Sequence, residues 1–164
     1  MQYMKLDPAQ REELLASLVD MPEYLRSAFA GLSPEQTRAP GPGGVPSPVE
    51  QVWHLADLER EGFAVRIRRL LSEREPALPD FDGARIAAER DYRSRSLQEG
   101  LARFGEARRH NVDALRALQP ESWYASGTQE GVGAVSLCDI PGFMWQHDSA
   151  HRAEIDEWRR AADR

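Results

Sequence analysis

Apolar residues in this chain recur every three or four positions along four separate stretches, and proline- and glycine-bearing connections stand between them. That alternation limits the fold more than any other feature, because each stretch can bury one face of a helix and none can bury it alone. In the first stretch the stripe is Leu14, Leu18, Met21, Leu25, Ala28 and Leu32. Asp7 suits its N-cap and Pro8 its first turn; Gly31 marks its end, and Pro22 inside the stripe predicts a kink. The second opens at "SPVE", where Ser47 caps, Pro48 takes the first helical position and Glu50 can close a capping box. It runs to about Glu75, where Pro76 stops it. The third carries Leu97, Leu101, Phe104, Arg108, Asn111, Leu115 and Leu118 and ends at Pro120. The fourth begins near Ser136 or Asp139 and continues to about Ala162.

Four such stripes in 164 residues predict one all-α domain over residues 1–164, a four-helix bundle. The segment "SPEQTRAPGPGGVPSP" holds too much proline and glycine for regular structure. A short helix is expected over "ARIAAER", and "QPESWYASGTQEGVGAV" reads as a long loop carrying Trp123 and Tyr124. Connections of this length exceed what neighbouring antiparallel helices need, so at least one long crossover is expected.

Charge and composition then exclude several functions. The net charge is -6 and no long basic run appears, which argues against a dedicated nucleic-acid binder. Arg66, Arg68 and Arg69 read as a solvated helix face. No apolar run approaches the roughly 18 residues of a membrane span, and "MQYMKLDPAQREELL" lacks a signal-peptide core. Cys138 stands alone, so neither an intramolecular disulfide nor a CxxC motif exists, which fits a reducing compartment. The expectation is a cytoplasmic protein with a small-molecule substrate, acting as a homodimer without nucleic-acid or membrane partners.

The chemistry rests on "MWQHDSAH". His147 and His151 are four apart, one turn above each other on one helix face. Such a pair can bind one divalent ion, although the spacing alone does not separate a metal site from two surface histidines. Their face also carries Ile140, Met144, Glu154 and Trp158, an inward stripe on which an imidazole needs a partner for its nitrogens. A third histidine, His54, lies about two turns into the second helix in "VWHLADLE", where Leu58 and Val65 share its face at 100° per residue. Facing helices of a bundle build metal sites this way, and three histidines leave a coordination position open. Cys138 falls on the opposite face from His147, and His110 points away from the stripe of the third helix.

The order "LSPEQTRAPGPGG…SPVEQVWHLADLE" followed by "MWQHDSAHRAEI" resembles the DinB/YfiT-like superfamily. Its members pair an early histidine of the second helix with an H-x-x-x-H motif in the last. Those positions here are His54, His147 and His151, with Arg152 and Glu154 behind them. Where members usually open the second helix with Trp-Ser, this chain has Pro46-Ser47, which keeps the cap and loses the aromatic ring. The resemblance implies a bundle holding a divalent metal, zinc or nickel, on the three histidines. It also implies a transferase or isomerase that uses a low-molecular-weight thiol of the bacillithiol or mycothiol type as cosubstrate.

A metal held so can turn bound water into hydroxide or a bound thiol into thiolate near neutral pH. With Cys138 facing away, the nucleophile comes from outside. Glu154 is a candidate to orient a ligand imidazole or act as a base, as are Asp57 and Glu61. Arg108 and Asn111 interrupt an apolar stripe and are candidates to bind an acidic substrate or the thiol. Trp123 and Tyr124 are candidates to cover the substrate. Three readings stand: a metal-dependent thiol transferase, a metal-dependent hydrolase, and a non-catalytic metal-binding module.

Overall fold

The computed structural model describes residues 1–164, and four long helical units form its frame. Helix α1 spans Pro8–Ala28, starting from a reciprocal Asp7–Gln10 capping box. It passes through Pro22 as one helix. A short α2, Pro34–Arg38, comes next. The second long unit starts as α3, Pro48–Asp57, with the expected Ser47–Glu50 capping box, passes through a π-helical segment Leu58–Phe63, and continues as α4, Ala64–Ser72. After strand β1, Ala77–Leu78, come α5, Gly83–Arg90, and α6, Leu97–Arg116. Strands β2, Ser126–Gln129, and β3, Gly133–Ser136, precede α7, Ile140–Ala162.

Helix α6 packs against both α3 and α1, and α1 packs against α7. Helix α3 meets α7 through the histidines and a Gln51–Glu154 hydrogen bond of 2.7 Å. The circuit α3–α6–α1–α7 sets α1 and α3 across the bundle from each other, although they are consecutive long helices. The long proline-rich connection supplies the crossover. No helix is long and apolar enough to cross a membrane.

The segment read as a loop before α7 is only partly one. Strands β2 and β3 form an antiparallel hairpin, and β1 joins β2 in parallel, giving a three-stranded sheet ordered β1-β2-β3. Four-residue strands reading SGTQ and GAVS are too short and too poor in large apolar residues to show an alternation that a sequence reading could detect. Gly127 is needed for the close approach of β2 to Pro76: a Cβ there would stand 2.5 Å from the Pro76 carbonyl oxygen.

The apolar interior falls into two main clusters. One gathers Leu15, Leu18, Ile67, Leu115, Leu137 and Met144, the other Met21, Leu25, Val52, Leu101, Phe104 and Ile155. Between them lies a polar layer built on Arg108 of α6. Its Nε and Nη2 donate to Glu59 at 2.8 and 3.1 Å, and Nη1 and Nη2 donate to Asp148 at 2.7 and 2.9 Å. Nη1 also donates to the Leu18 carbonyl at 2.9 Å. All five N–H groups are thereby committed inside the protein.

Candidate metal centre

The polar layer continues sideways into the histidines. His147 and His151, one turn apart on α7, face His54 of α3, and their Nε2 atoms converge. His147 Nε2 lies 3.3 Å from His54 Nε2 and 3.2 Å from His151 Nε2. The three ligand atoms all lie within 4.8 Å of one another.

The donor set fits a divalent cation. A tetrahedral ion with bonds of about 2.0–2.1 Å to nitrogen holds its ligands roughly 3.3–3.4 Å apart, close to the two separations above. The His151 tautomer agrees. His151 Nδ1 lies 2.6 Å from Gln51 Oε1, an acceptor, so Nδ1 carries the hydrogen and Nε2 presents its lone pair. Glu154 Oε2 lies 3.1 Å from the same Nδ1 and is itself fixed by Gln51 Nε2. Burial pushes all three imidazoles toward the neutral form. The pKa of His54 falls to about 4, through burial first and the charge of His151 second. That of His147 falls to about 3, through burial and then its two histidine neighbours. His151 is also lowered by burial, with Glu154 opposing. Three neutral rings converging on one point form a donor set that a divalent cation can take up together.

Local sequence explains the convergence. Gly83, at the start of α5, lets that helix approach His54: a Cβ there would sit 2.8 Å from His54 Cε1. The π segment rotates every later side chain of its helical unit about the axis. At 100° per residue Arg66 lies about 120° around from His54, but one extra residue taken up by a π-bulge brings it to within roughly 20°. Accordingly Arg66 is buried at 7% exposure, whereas Val65 has left the face it was expected to share with His54. Asn111 supports the bulge by donating to the Glu59 backbone carbonyl at 3.0 Å and to the Glu59 carboxylate at 3.2 Å.

Several residues therefore stand apart from their expected roles. Arg108 and Asn111 belong to the buried polar layer and offer no free donor fork to a substrate or thiol. Asp57 is buried and accepts from the Tyr92 hydroxyl at 2.6 Å and from Arg90 at 2.8 Å, clamping α5 and the turn after it onto α3. Glu61 binds the same Arg90. Glu154 touches the Nδ1 side of His151, away from the convergent Nε2 atoms, which suits orientation of the ring. Trp123 is buried against Tyr3, with ring centres 4.3 Å apart, and Tyr124 is exposed, so neither covers the histidines. Cys138 is buried in the core with its thiol pKa raised by burial, and His110 is exposed, both as expected.

His54 and His147 open onto a cleft of about 260 Å³, bordered also by Phe63, Arg66, Asp80 and Gln129. Of the functional candidates here, sequence reading missed Gln51, Arg66, Asp80 and Gln129. Gln51 was detectable, being three residues before His54 on the same helix. Arg66 was hidden by the bulge, and Gln129 by the unrecognised hairpin.

The DinB superfamily model matches residues 17–155. A protein of Geobacillus thermodenitrificans (strain NG80-2), provisionally named a metal-dependent hydrolase, is 33% identical over 150 residues, covering 91% of this chain and 84% of its own. YfiT from Bacillus subtilis, described with the same reserve as a metal-dependent hydrolase with an unusual four-helix bundle topology, superposes with a TM-score of 0.85 at 22% identity. That match covers 94% of this chain and 89% of YfiT. With its crossed bundle and its histidines shared between α3 and α7, this chain belongs to the DinB superfamily.

Proposed function

We propose that this protein is a metal-dependent hydrolase of small molecules, with His54, His147 and His151 holding one divalent ion. The observation that carries the reading is the convergence of three imidazole nitrogens beside an open cleft. When bound, the ion supplies Lewis acidity and lowers the pKa of a coordinated water. The chain's own residues supply the rest. Gln51 and Glu154 fix the His151 ring. Phe63 packs edge-on to His147, with ring centres 6.3 Å apart. Asp80 borders the same cleft and is exposed there, and it is our candidate for the proton acceptor if the ion is bound. The relatives' names favour hydrolysis over thiol transfer. An exogenous thiol could take the place of water at the same centre, because Cys138 is buried elsewhere and leaves the protein without a nucleophile of its own.

The test is a panel of small esters and amides, run beside conjugation assays with bacillithiol and mycothiol. Zinc-, nickel- and manganese-loaded protein is used, with and without chelator. Metal-dependent cleavage that is lost in His151→Ala supports the proposal. Thiol consumption without hydrolysis replaces water by thiol as the nucleophile. Turnover in neither assay leaves the non-catalytic module as the surviving reading.

A further inference from the structure

Arg66 is a buried cation without a counterion at hand. It is 7% exposed, and its Nε has no hydrogen-bond partner. Its guanidinium lies 5.4 Å from the Phe63 ring centre, and the same ring flanks His147. Asp80 acts on Arg66 through space, without a direct ion pair. Across the cleft from β2 comes Gln129, 6% exposed, whose Oε1 is likewise buried and without a partner. Buried polar groups left unpaired are destabilising. Here two of them border one cleft, beside His54 and His147. The π segment that turns Arg66 inward is held by Asn111, so the placement is built into the fold.

We propose that Arg66 and Gln129 form a subsite for a carboxylate of the substrate, which therefore carries an acid group at one end and the bond under attack at the other. The proposal rests on the metal-centre reading above and adds the substrate class to it. A planar guanidinium matches a carboxylate with two parallel hydrogen bonds. With its amide turned over, so that Nε2 takes the place of the unpartnered Oε1, Gln129 can donate a third. A single cation with Asp80 nearby suits one negative charge better than the two of a phosphate monoester. The walls contributed by Phe63, Phe81 and Phe143 fit a short apolar spacer between the acid and the reacting carbon.

The experiment uses zinc-loaded full-length protein and hydroxamates as metal-directed probes. The monohydroxamates of succinate, glutarate and adipate are compared by calorimetry with their methyl esters and with phosphonate analogues. At the best spacer length the free acid is expected to bind on the order of tenfold or more tighter than its ester. In Arg66→Gln that preference is expected to vanish while affinity for the ester stays the same, and Arg66→Lys is expected to restore only part of it. Because Arg66 has no hydrogen bond or direct ion pair to lose, Arg66→Gln is expected to melt close to the wild-type temperature. Equal binding of acid and ester to the wild type overturns the subsite, as does a preference that survives in Arg66→Gln or a large loss of stability. A phosphonate preferred over the carboxylate overturns the assigned class. If neither acid nor ester binds the wild type, the metal-centre reading itself fails.

Discussion

Replacing Arg108 by methionine separates the structural role of the polar layer from the ligand-binding role its sequence position suggested. The side chains of Arg108, Glu59 and Asp148 are 2%, 2% and 5% exposed. Burial works against the charge of Arg108, but Glu59 and Asp148 outweigh it and hold its pKa above the ordinary arginine value. Arg108→Met removes the cation and leaves two carboxylates in the interior without it. Breaking a buried pair in this way costs about 3–5 kcal/mol, a large part of the roughly 5–15 kcal/mol that holds a domain folded. For a chain of this size that corresponds to a drop in Tm of about 6–20 °C. Urea unfolding monitored by helical circular dichroism measures it. Glu59→Leu and Asp148→Leu, added to Arg108→Met, are expected to recover most of the loss, because the triple variant buries no charge. A loss below about 1 kcal/mol in Arg108→Met would refute the reasoning. So would unchanged stability with loss of ligand binding, since Arg108 would then be reading a substrate.

The site itself sets two more expectations. Gly83→Ala places a methyl group 2.8 Å from His54 Cε1, so it is expected to displace that ring and weaken metal affinity by about 10–100-fold while helical content is kept; a metal titration showing wild-type affinity would count against the close approach. The metal-free protein is expected to lose stability on acidification between about pH 6.5 and pH 4. The folded-state pKa values of His54 and His147 are depressed to about 4 and about 3. The unfolded chain therefore takes up protons near pH 6.5 and the folded one does not, so stability is complete above that pH and falls below it. Melting curves from pH 7.5 to 5 check this, and a slope identical to that of a variant carrying His54→Gln, His147→Gln and His151→Gln would contradict it.

The bundle and its three histidines were legible because both obey one rule, 100° per residue along an uninterrupted helix. The rule held for His147 and His151, whose helix α7 is regular from Ile140 to Ala162. It also held for His54, which lies before the π segment. It failed for Arg66, after that segment, where one extra residue moves every later side chain around the axis. It could not apply to Gln129, placed by strand pairing over a four-residue strand with no hydrophobic alternation. Polar residues in an apolar stripe were recognised at Arg108 and Asn111. Their partners Glu59 and Asp148 come from other helices, and only the packed structure shows that all their donors are already taken.

The central claim is that one divalent ion sits between α3 and α7 on His54, His147 and His151. Elemental analysis of purified protein tests it most directly, on the wild type and on His54→Ala, His147→Ala, His151→Ala and the control His110→Ala. Each is dialysed against the same limiting zinc. About one metal per chain is expected in the wild type and in His110→Ala, and a small fraction of that in the other three. Stoichiometric metal retained by His54→Ala, or lost equally by His110→Ala, would contradict the account.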